Sequence, residues 1–458
     1  MGQHGAHVSD PARHGDQAAH EFVSALRGAA PYVHAHHGGT FVIAFSGETC
    51  AGPHWTRILA DIALLTSLGV RLVLVHGARP QIDAQLALMG IEPRYEADMR
   101  VTDHRAMVGV KAAVGALRLD IEAGLAATLA RAGTNGEQVP VVGGTWVTAR
   151  PEGVRDGVDF SLTGRVRRVD TASIQDALAD QRVVLLSPLG FSPTGEIFNL
   201  RSGDVARAAA VGLQADKLIF VLESDPRSWP MATSGGDVGQ FVVSDVEDSL
   251  SEALLADLSI EDRHCVQESL DAARHGVGRV HLVGAHQEGA LLRELYTRDG
   301  AGLMFYNAED YESLRQARVD DITGIMALLA PLEAEGILVP RSREQLERDI
   351  ESFTVMLRDG MVIATSAVFD YPEESSAELA CVAVHPQYRG SQRAETLLLH
   401  AEREARLRDI ERLFVLTTQT PHWFWEHGFR PAATSDLPER RRSTYNATRR
   451  SKVMTKPL

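Results

Sequence analysis

From Thr40 onward, short and wholly apolar runs alternate with stretches of helical periodicity, and this alternation limits the possible folds more than any single motif. Phe41-Val42-Ile43-Ala44-Phe45 reads as a strand with no polar face, Thr56–Leu68 as a helix stopped at Gly69, and Val70–Val75 as a second apolar strand. Pro80–Met89 follows as a helix ended by Gly90, and Val183–Leu186, Leu218–Leu222 and Val280–Val283 repeat the strand signature. Strands that are apolar on both faces need cover on both faces, and strands separated by helices pair in parallel. An α/β domain with a parallel sheet is therefore expected, running to about Met304. Glu223–Asp248, rich in Ser, Gly, Asp and Pro, reads as a mobile insertion within it.

At 458 residues the chain is too long for one core, so two or three domains are expected. Met1–Asp16 is polar, lacks periodicity and reads as a disordered tail, with His4, His7 and His14 solvated rather than metal-bound. His20–Ala30 reads as a short helix with Phe22, Val23 and Leu26 on one side. A 44% hydrophobic content and a mean hydropathy of −0.11 describe an ordinary soluble protein. No apolar run approaches the roughly 20 residues of a membrane span, and no signal-peptide pattern opens the chain, so a cytoplasmic location is expected. The net charge of −15 argues against a nucleic-acid partner. Cys50, Cys265 and Cys381 form neither a disulfide framework nor a zinc pattern, and no metal is expected.

A second domain opens near Glu312. Leu314–Ile322 reads as a strand and a helix capped by Asp320 or Asp321, with Ile322, Ile325, Met326 and Leu329 as its buried stripe. Strands follow near Phe353–Arg358, Val362–Asp370, Ala377–Val384 and Leu413–Thr418, and His422–Phe429 is a short aromatic helix closed by Gly428. After Val384 a proline stops the strand, a polar turn follows, and Leu397, Leu398, Ala401 and Ala405 mark an amphipathic helix. A helix N-terminus presents unpartnered N–H groups and a positive dipole end, and Arg389 and Arg393 add charge, so the turn suits an anion.

Residues 40–304 resemble the amino-acid kinase fold, in particular N-acetylglutamate kinase. The resemblance rests on Val75-His76-Gly77, Arg100-Val101-Thr102-Asp103, Gly195-Glu196-Ile197-Phe198-Asn199 and Asp216-Lys217-Leu218-Ile219-Phe220 in that order. Kinase chemistry needs charge and close backbone donors around the phosphates. Ala44 stands where that family places a strand lysine, and the glycine-rich phosphate turn has become Gly77-Ala78-Arg79-Pro80, so phosphoryl transfer is not expected. Lys217 and Arg100 are relics, structural residues or parts of an altered site. The second domain resembles the GNAT acetyltransferases. Arg389 and Ala394 fit their coenzyme A loop, while Gln392 stands where the middle glycine is expected. The resemblance assigns acetyl-CoA to Cys381, Val382, Val384, Arg389, Gly390, Ser391, Gln392, Arg393 and Ala394.

The fold class is thus an amino-acid kinase-like three-layer α/β domain (17–304, with its N-terminal helix) followed by a GNAT domain (312–458), a layout similar to the bacterial N-acetylglutamate synthase family. That resemblance implies transfer of acetyl from acetyl-CoA, a co-substrate rather than a permanently bound cofactor, to L-glutamate, the first step of arginine biosynthesis. Leu338-Val339-Pro340-Arg341-Ser342-Arg343-Glu344 is similar to a family motif whose first arginine grips glutamate, and Tyr445-Asn446 with Arg449-Arg450-Ser451-Lys452 to its C-terminal motif. Arg341, Arg449 and Ser451 are the implied anchors, since arginine's planar fork suits carboxylates. His281-Leu282-Val283, Glu294 and Asp299-Gly300-Ala301-Gly302 resemble an arginine-binding signature, with Leu303 where a threonine often follows. It implies an L-arginine effector at Tyr32, His281, Glu294, Gly300 and Gly302, and a homo-oligomer, with a hexamer as precedent. Read without the family, the segment is a surface helix, Glu288–Tyr296, closed by a glycine turn.

The glutamate α-ammonium must lose a proton before it attacks the thioester. Glu378, three residues before Cys381, is the expected general base, acting through water, although a half-buried strand carboxylate is equally a solvated or arginine-paired one. Backbone N–H groups near Val382 are expected to hold the oxyanion. Cys381 reads as a packed strand residue. Many GNAT enzymes use a tyrosine acid where Phe424 stands here, so the proton donor to the thiolate is open, with Tyr445 a weak candidate. The alternatives are an acetyltransferase for another amino acid and a non-catalytic arginine-sensing protein.

Overall fold

A computed structural model describes residues 11–132, 139–233, 239–244, 246, 257–297, 299–307, 312–358, 360–389 and 392–458. The chain divides into two compact units, Met1–Asp310 and Tyr311–Leu458. In the first, eight strands lie in the order Gln240–Val242, Leu303–Tyr306, Arg279–Gly284, Lys217–Leu222, Thr40–Phe45, Arg71–His76, Val183–Leu186 and Val141–Val142. All neighbours run parallel except Arg279–Gly284 with Leu303–Tyr306. Val42, Ala44, Val73, Val75, Leu218 and Phe220 share a core with Ile174, Val205, Ala209 and Val266 from three helices, Thr171–Ala179, Ser202–Leu213 and Ile260–Arg274. The alternate residues Phe41, Ile43, Leu72, Leu74 and Ile219 point to the other face and are as deeply buried, which is why these strands have no polar face. The helices Trp55–Ser67 and Arg79–Leu88 end before Gly69 and Gly90, which take φ of +86° and +64° at no steric cost.

Four readings are corrected. The N-terminal helix is not confined to His20–Ala30, nor is the stretch before it wholly tail, because the helix spans Pro11–His36. It passes through Pro31 since Tyr32 and His36 beyond it are buried, His36 packing on Phe41 and Tyr296 with ring centroids 5.3 and 5.5 Å away. Residues 1–10 lie outside the described residues. The insertion is anchored rather than wholly mobile: Trp229, Met231 and Phe241 are buried, and Gln240–Val242 joins the sheet beside Leu303–Tyr306. A second sheet was not anticipated: Ile197–Asn199, Leu189–Phe191, Val147–Pro151 and Gly164–Val169 are too short or too charged to show a strand period.

The second unit is a seven-stranded sheet in the order Ser313–Gln316, Phe353–Arg358, Met361–Tyr371, Ser376–Val384, Arg412–Thr417, Lys452–Pro457 and Arg430–Ala432. Every pair is antiparallel except Ser376–Val384 with Arg412–Thr417. The helix Ile322–Ala334 buries Ile322, Ile325, Leu328 and Leu329, but Met326 is 37% exposed, the fourth correction, because it stands about 90° from the middle of that stripe. Asp321 closes a single 3₁₀ turn by accepting from the Arg318 N–H at 2.7 Å and pairs with Arg315.

Candidate functional site

The parallel pair at the centre of the second sheet opens partway along its length. Ser376–Val384 pairs with Arg412–Thr417 only from Ser376 to Glu378, after which each strand keeps only its other neighbour. A bulge lies at the same place. Thr365 opposes Ala383 and Ala367 opposes Ala380, so two residues face Ser366, and Cys381 takes φ +53°, where a side chain is strained. The bulge turns the strand away and leaves the N–H groups beyond Glu378 without ladder partners on the Arg412–Thr417 side. Val382 and Val384 are half-buried along this notch. Burial pushes the Cys381 thiol up, against the pull of the Arg341 guanidinium beside it.

Downstream, a 3₁₀ turn Pro386–Tyr388 leads to the helix Arg393–Leu407. Gly390 and Ser391 lie outside the described residues. Gln392 is the residue before the helix and has φ +54°, the left-handed conformation that explains why a glycine is expected there. Arg393 donates to Glu312 at 2.5 to 3.1 Å and to the Tyr388 carbonyl at 2.8 Å, so it braces the turn from inside. Arg389 is exposed, its Nε 3.4 Å from the Val384 carbonyl, and Ala394 follows Arg393 in the first turn of the helix. The two expected phosphate cations are therefore placed unequally.

Glu378 is nine-tenths buried, and Arg441 grips it with both arms, Nε to Oε2 at 2.6 Å and Nη2 to Oε1 at 3.2 Å. Burial works to lower the Arg441 guanidinium, but Glu378 outweighs it and raises it. Arg441 is the residue that the sequence reading missed. Three arginines in a row, Arg440 to Arg442, were the available signal, and nothing in their spacing says which one turns inward. Arg341 lies over the Phe369 ring at 5.1 Å and 3.8 Å from Asp349, and its Nε is buried with no hydrogen-bond partner. Arg449 donates from Nη2 to the Gly336 and Ile337 carbonyls at 3.1 and 2.7 Å, bringing the C-terminal segment to the loop that leads into Arg341. Ser451 is half-buried, and its carbonyl accepts from the Tyr445 hydroxyl at 2.8 Å. Phe424 packs edge-on against Phe429, with centroids 5.3 Å apart.

Of the residues that the resemblance assigns to an arginine effector, His281, Glu294, Gly300 and Gly302 lie together in the first unit. Glu294 Oε1 lies 2.6 Å from His281 Nδ1, and its Oε2 accepts from the Ala301 and Gly302 N–H groups at 2.6 and 2.7 Å. Burial would raise the Glu294 carboxyl, but His281 and those N–H groups win and hold it below its ordinary value. Burial lowers His281 despite Glu294, and its Nε2 is buried without a hydrogen-bond partner. Gly300, at φ +59°, has no room for a side chain beside Glu294. The glycine turn thus offers N–H groups to Glu294, while its Asp299 and Gly302 carbonyls accept from the Arg227 guanidinium. Tyr32 is buried in the N-terminal helix, one turn before His36, whose Nε2 meets the Leu295 carbonyl at 2.8 Å. Lys217 is wholly buried, and burial, with Arg279 nearby, holds its amine well below the usual range.

At the turn where the resemblance places a kinase's phosphates, the side chains have partners within the protein. Ala78 is buried, and Arg79 pairs with Glu261 and lies 4.5 Å over the Tyr95 ring. Arg100 pairs with Asp83 at 2.6 Å. Among the described residues one group has metal-ligand composition, Asp204, His264 and Glu268, with ligand atoms within 4.8 Å of one another. Arg207 binds Glu268 at 2.5 Å and His264 lies 3.3 Å from Asp204, so both carboxylates already have side-chain partners.

A splayed parallel pair, a helix N-terminus after it and a strand carboxylate beside it define an acyltransferase site of the GNAT type. The Acetyltransferase (GNAT) family matches residues 322–429 and the Amino acid kinase family residues 38–231. An amino-acid acetyltransferase of Ectopseudomonas mendocina (strain ymp) is 46% identical over 96% of this chain and 100% of its own length, and one of Azotobacter vinelandii (strain DJ / ATCC BAA-1303) is equally identical over the same shares. The crystal structure of N-acetylglutamate synthase from Neisseria gonorrhoeae complexed with coenzyme A and L-arginine is 36% identical, covers 95% of this chain and 99% of its own, and superposes with a TM-score of 0.73. The same enzyme complexed with coenzyme A and N-acetyl-glutamate gives 0.57. The chain belongs to the amino-acid acetyltransferase family that includes N-acetylglutamate synthase. Among the described residues no helix is long and apolar enough to cross a membrane.

Proposed function

We propose that this chain transfers the acetyl group of acetyl-CoA to the α-amine of L-glutamate, forming N-acetylglutamate at the first step of arginine biosynthesis. The observation that carries the reading is the opened parallel pair with Glu378 at its apex and the partnerless Arg341 Nε nearby in the same unit. A buried guanidinium donor with nothing to bond is costly unless a carboxylate completes it. Arg341, Arg449 and Ser451 hold glutamate. Cys381, Val382, Val384 and the Arg389–Ala394 turn line the acetyl-CoA path, the thioester lying in the notch and the diphosphate at the turn. Glu378 takes a proton from the α-ammonium through water, and the nitrogen lone pair attacks the carbonyl carbon. N–H groups near Val382 stabilise the oxyanion, and its collapse breaks the C–S bond.

The Neisseria enzyme's complex with L-arginine supports arginine as a ligand, for which the motif resemblance offers Tyr32, His281, Glu294, Gly300 and Gly302 as the effector site. Arginine would enter by exchanging partners with groups that now bond each other, coupling its binding to the N-terminal helix through Leu295 and His36. Phe22 and Leu26 of that helix are 67% and 60% exposed, which supports assembly of a homo-oligomer through it. The family and the absence of a spanning helix among the described residues support work in the cytoplasm. The test is an acceptor screen with acetyl-CoA, with and without arginine. Coenzyme A release fastest with glutamate is expected. Faster acetylation of aspartate, lysine or a polyamine would overturn the substrate, and arginine binding with no acetylation of any acceptor would favour a sensor.

A further inference from the structure

We propose that Arg441 selects the acceptor by exchanging carboxylates: it leaves Glu378 for the side-chain carboxylate of the incoming amino acid, and so releases Glu378 to act as base. This rests on the acetyltransferase reading above, and it assigns the choice of a dicarboxylic acceptor to one residue.

The pair spans 63 positions of sequence and uses both arms of the guanidinium, so tertiary structure holds it together. It is set on the last residue of Ser376–Val384 that still pairs with Arg412–Thr417, at the mouth of the notch. Arg441 occupies both carboxylate oxygens of Glu378, and a general base needs an oxygen free to meet the proton it takes. The element carrying Arg441 is equipped to move: the helix Glu439–Ser443 is five residues long and buries no side chain. Among the described residues, Arg441's side chain donates beyond Glu378 to the Thr444 hydroxyl at 3.3 Å and carbonyl at 3.5 Å, within its own segment.

An α-amino acid always brings one carboxylate, and the partnerless Nε of Arg341 is a place for it. A second carboxylate can compete for Arg441; an amide of the same shape cannot, since it has no charge to offer a guanidinium that would leave an anion behind. Once Arg441 has moved, a proton passes from the α-ammonium to a Glu378 oxygen, the nitrogen lone pair forms the C–N bond, and the C–S bond breaks with its electrons on sulfur. Glutamine, bound by its α-carboxylate alone, would leave Glu378 in its pair.

The experiment compares glutamate and glutamine as acceptors, at saturating acetyl-CoA, for the full-length enzyme and its Arg441→Gln and Arg441→Lys variants. In Arg441→Gln, kcat/KM for glutamate should fall by roughly 30-fold or more, chiefly through KM, while that for glutamine holds or rises. Arg441→Lys should recover part of the preference. Equal losses for both acceptors would make Arg441 a structural brace and overturn the proposal, as would an unchanged preference. If Arg441→Gln fails to bind acetyl-CoA and so has not folded, the same ratio in Arg441→Lys decides: a preference equal to wild type sinks the idea, a reduced one supports it. A wild-type enzyme that acetylates neither acceptor refutes the glutamate assignment itself, a separate failure from an unmoved ratio.

Discussion

Arg341→Met separates binding from folding at the proposed glutamate pocket. In the free enzyme the Arg341 Nε is a buried donor with no hydrogen-bond partner, a state that costs about 1–3 kcal/mol. Against this the guanidinium gains about 0.5–1 kcal/mol from the Phe369 ring at 5.1 Å. Its 3.8 Å approach to the half-exposed Asp349 adds no more than about 0.5 kcal/mol. The Arg341 N–H still donates to Glu333 after the substitution, because it is backbone. Methionine keeps the length of the stem, so the net change should run from a loss of about 0.5 kcal/mol to a gain of about 2 kcal/mol, with the unfolding midpoint of this unit lowered by no more than about 2 °C. Glutamate, by contrast, loses a charge-assisted contact of about 2–3 kcal/mol, so its KM should rise by roughly 30- to 150-fold while the KM for acetyl-CoA holds. Thermal unfolding and initial rates against both substrates measure the two effects on the same preparation. A midpoint lowered by more than about 6 °C with the glutamate KM within about threefold of wild type would show that Arg341 serves the fold and not the substrate.

Glu294→Gln should abolish the response of the rate to arginine; full potency on that variant would remove Glu294 from the effector site, and direct competition between arginine and glutamate would defeat the allosteric reading. Burial holds His36 at about 3 and His76 at about 4, so the unfolded chain binds more protons, and their stabilisation, complete above pH 6.5, is lost as pH falls. Near pH 5.5 each should cost about 1.4 kcal/mol, while Asp61, pushed up to about 6, has the opposite sign and returns about 0.8 kcal/mol. Denaturant melts of the kinase-like unit should therefore show about 2 kcal/mol less stability near pH 5.5 than near pH 7.5, and equal stabilities would show that these histidines are not buried neutral. No ATP-dependent phosphorylation of N-acetylglutamate is expected with Ala44, Ala78 and Pro80 at the phosphate positions; turnover in a coupled ADP assay would reverse that conclusion.

The sequence by itself determined the strands of the main sheets and most of the helices between them, the two fold types and the place of the strand–turn–helix junction before Arg393. Hydrophobic period, proline and glycine are local signals: Val183–Leu186 is apolar throughout because both faces of its strand are covered, and Leu397, Leu398, Ala401 and Ala405 share one face of any helix that contains them. Family motifs added Arg341 and Glu294 as residues worth locating, and the position of Glu378 on the strand before Cys381 added a third. Tertiary structure decided what those residues meet. Glu294 has both oxygens occupied by His281 and the glycine turn, and Glu378 is held by an arginine from a segment 63 residues away. The helix continues past Pro31 because Tyr32 and His36 find a buried seat, and the insertion is ordered in part because Trp229 and Phe241 do. Lys452–Pro457 enters between Arg412–Thr417 and Arg430–Ala432 although all three strands lie apart in sequence. Side-chain periodicity tells which face of an element is buried but not what covers it. That is fixed only when segments distant in the chain compete for the same surface, and the free energy deciding the competition belongs to contacts that no local window contains.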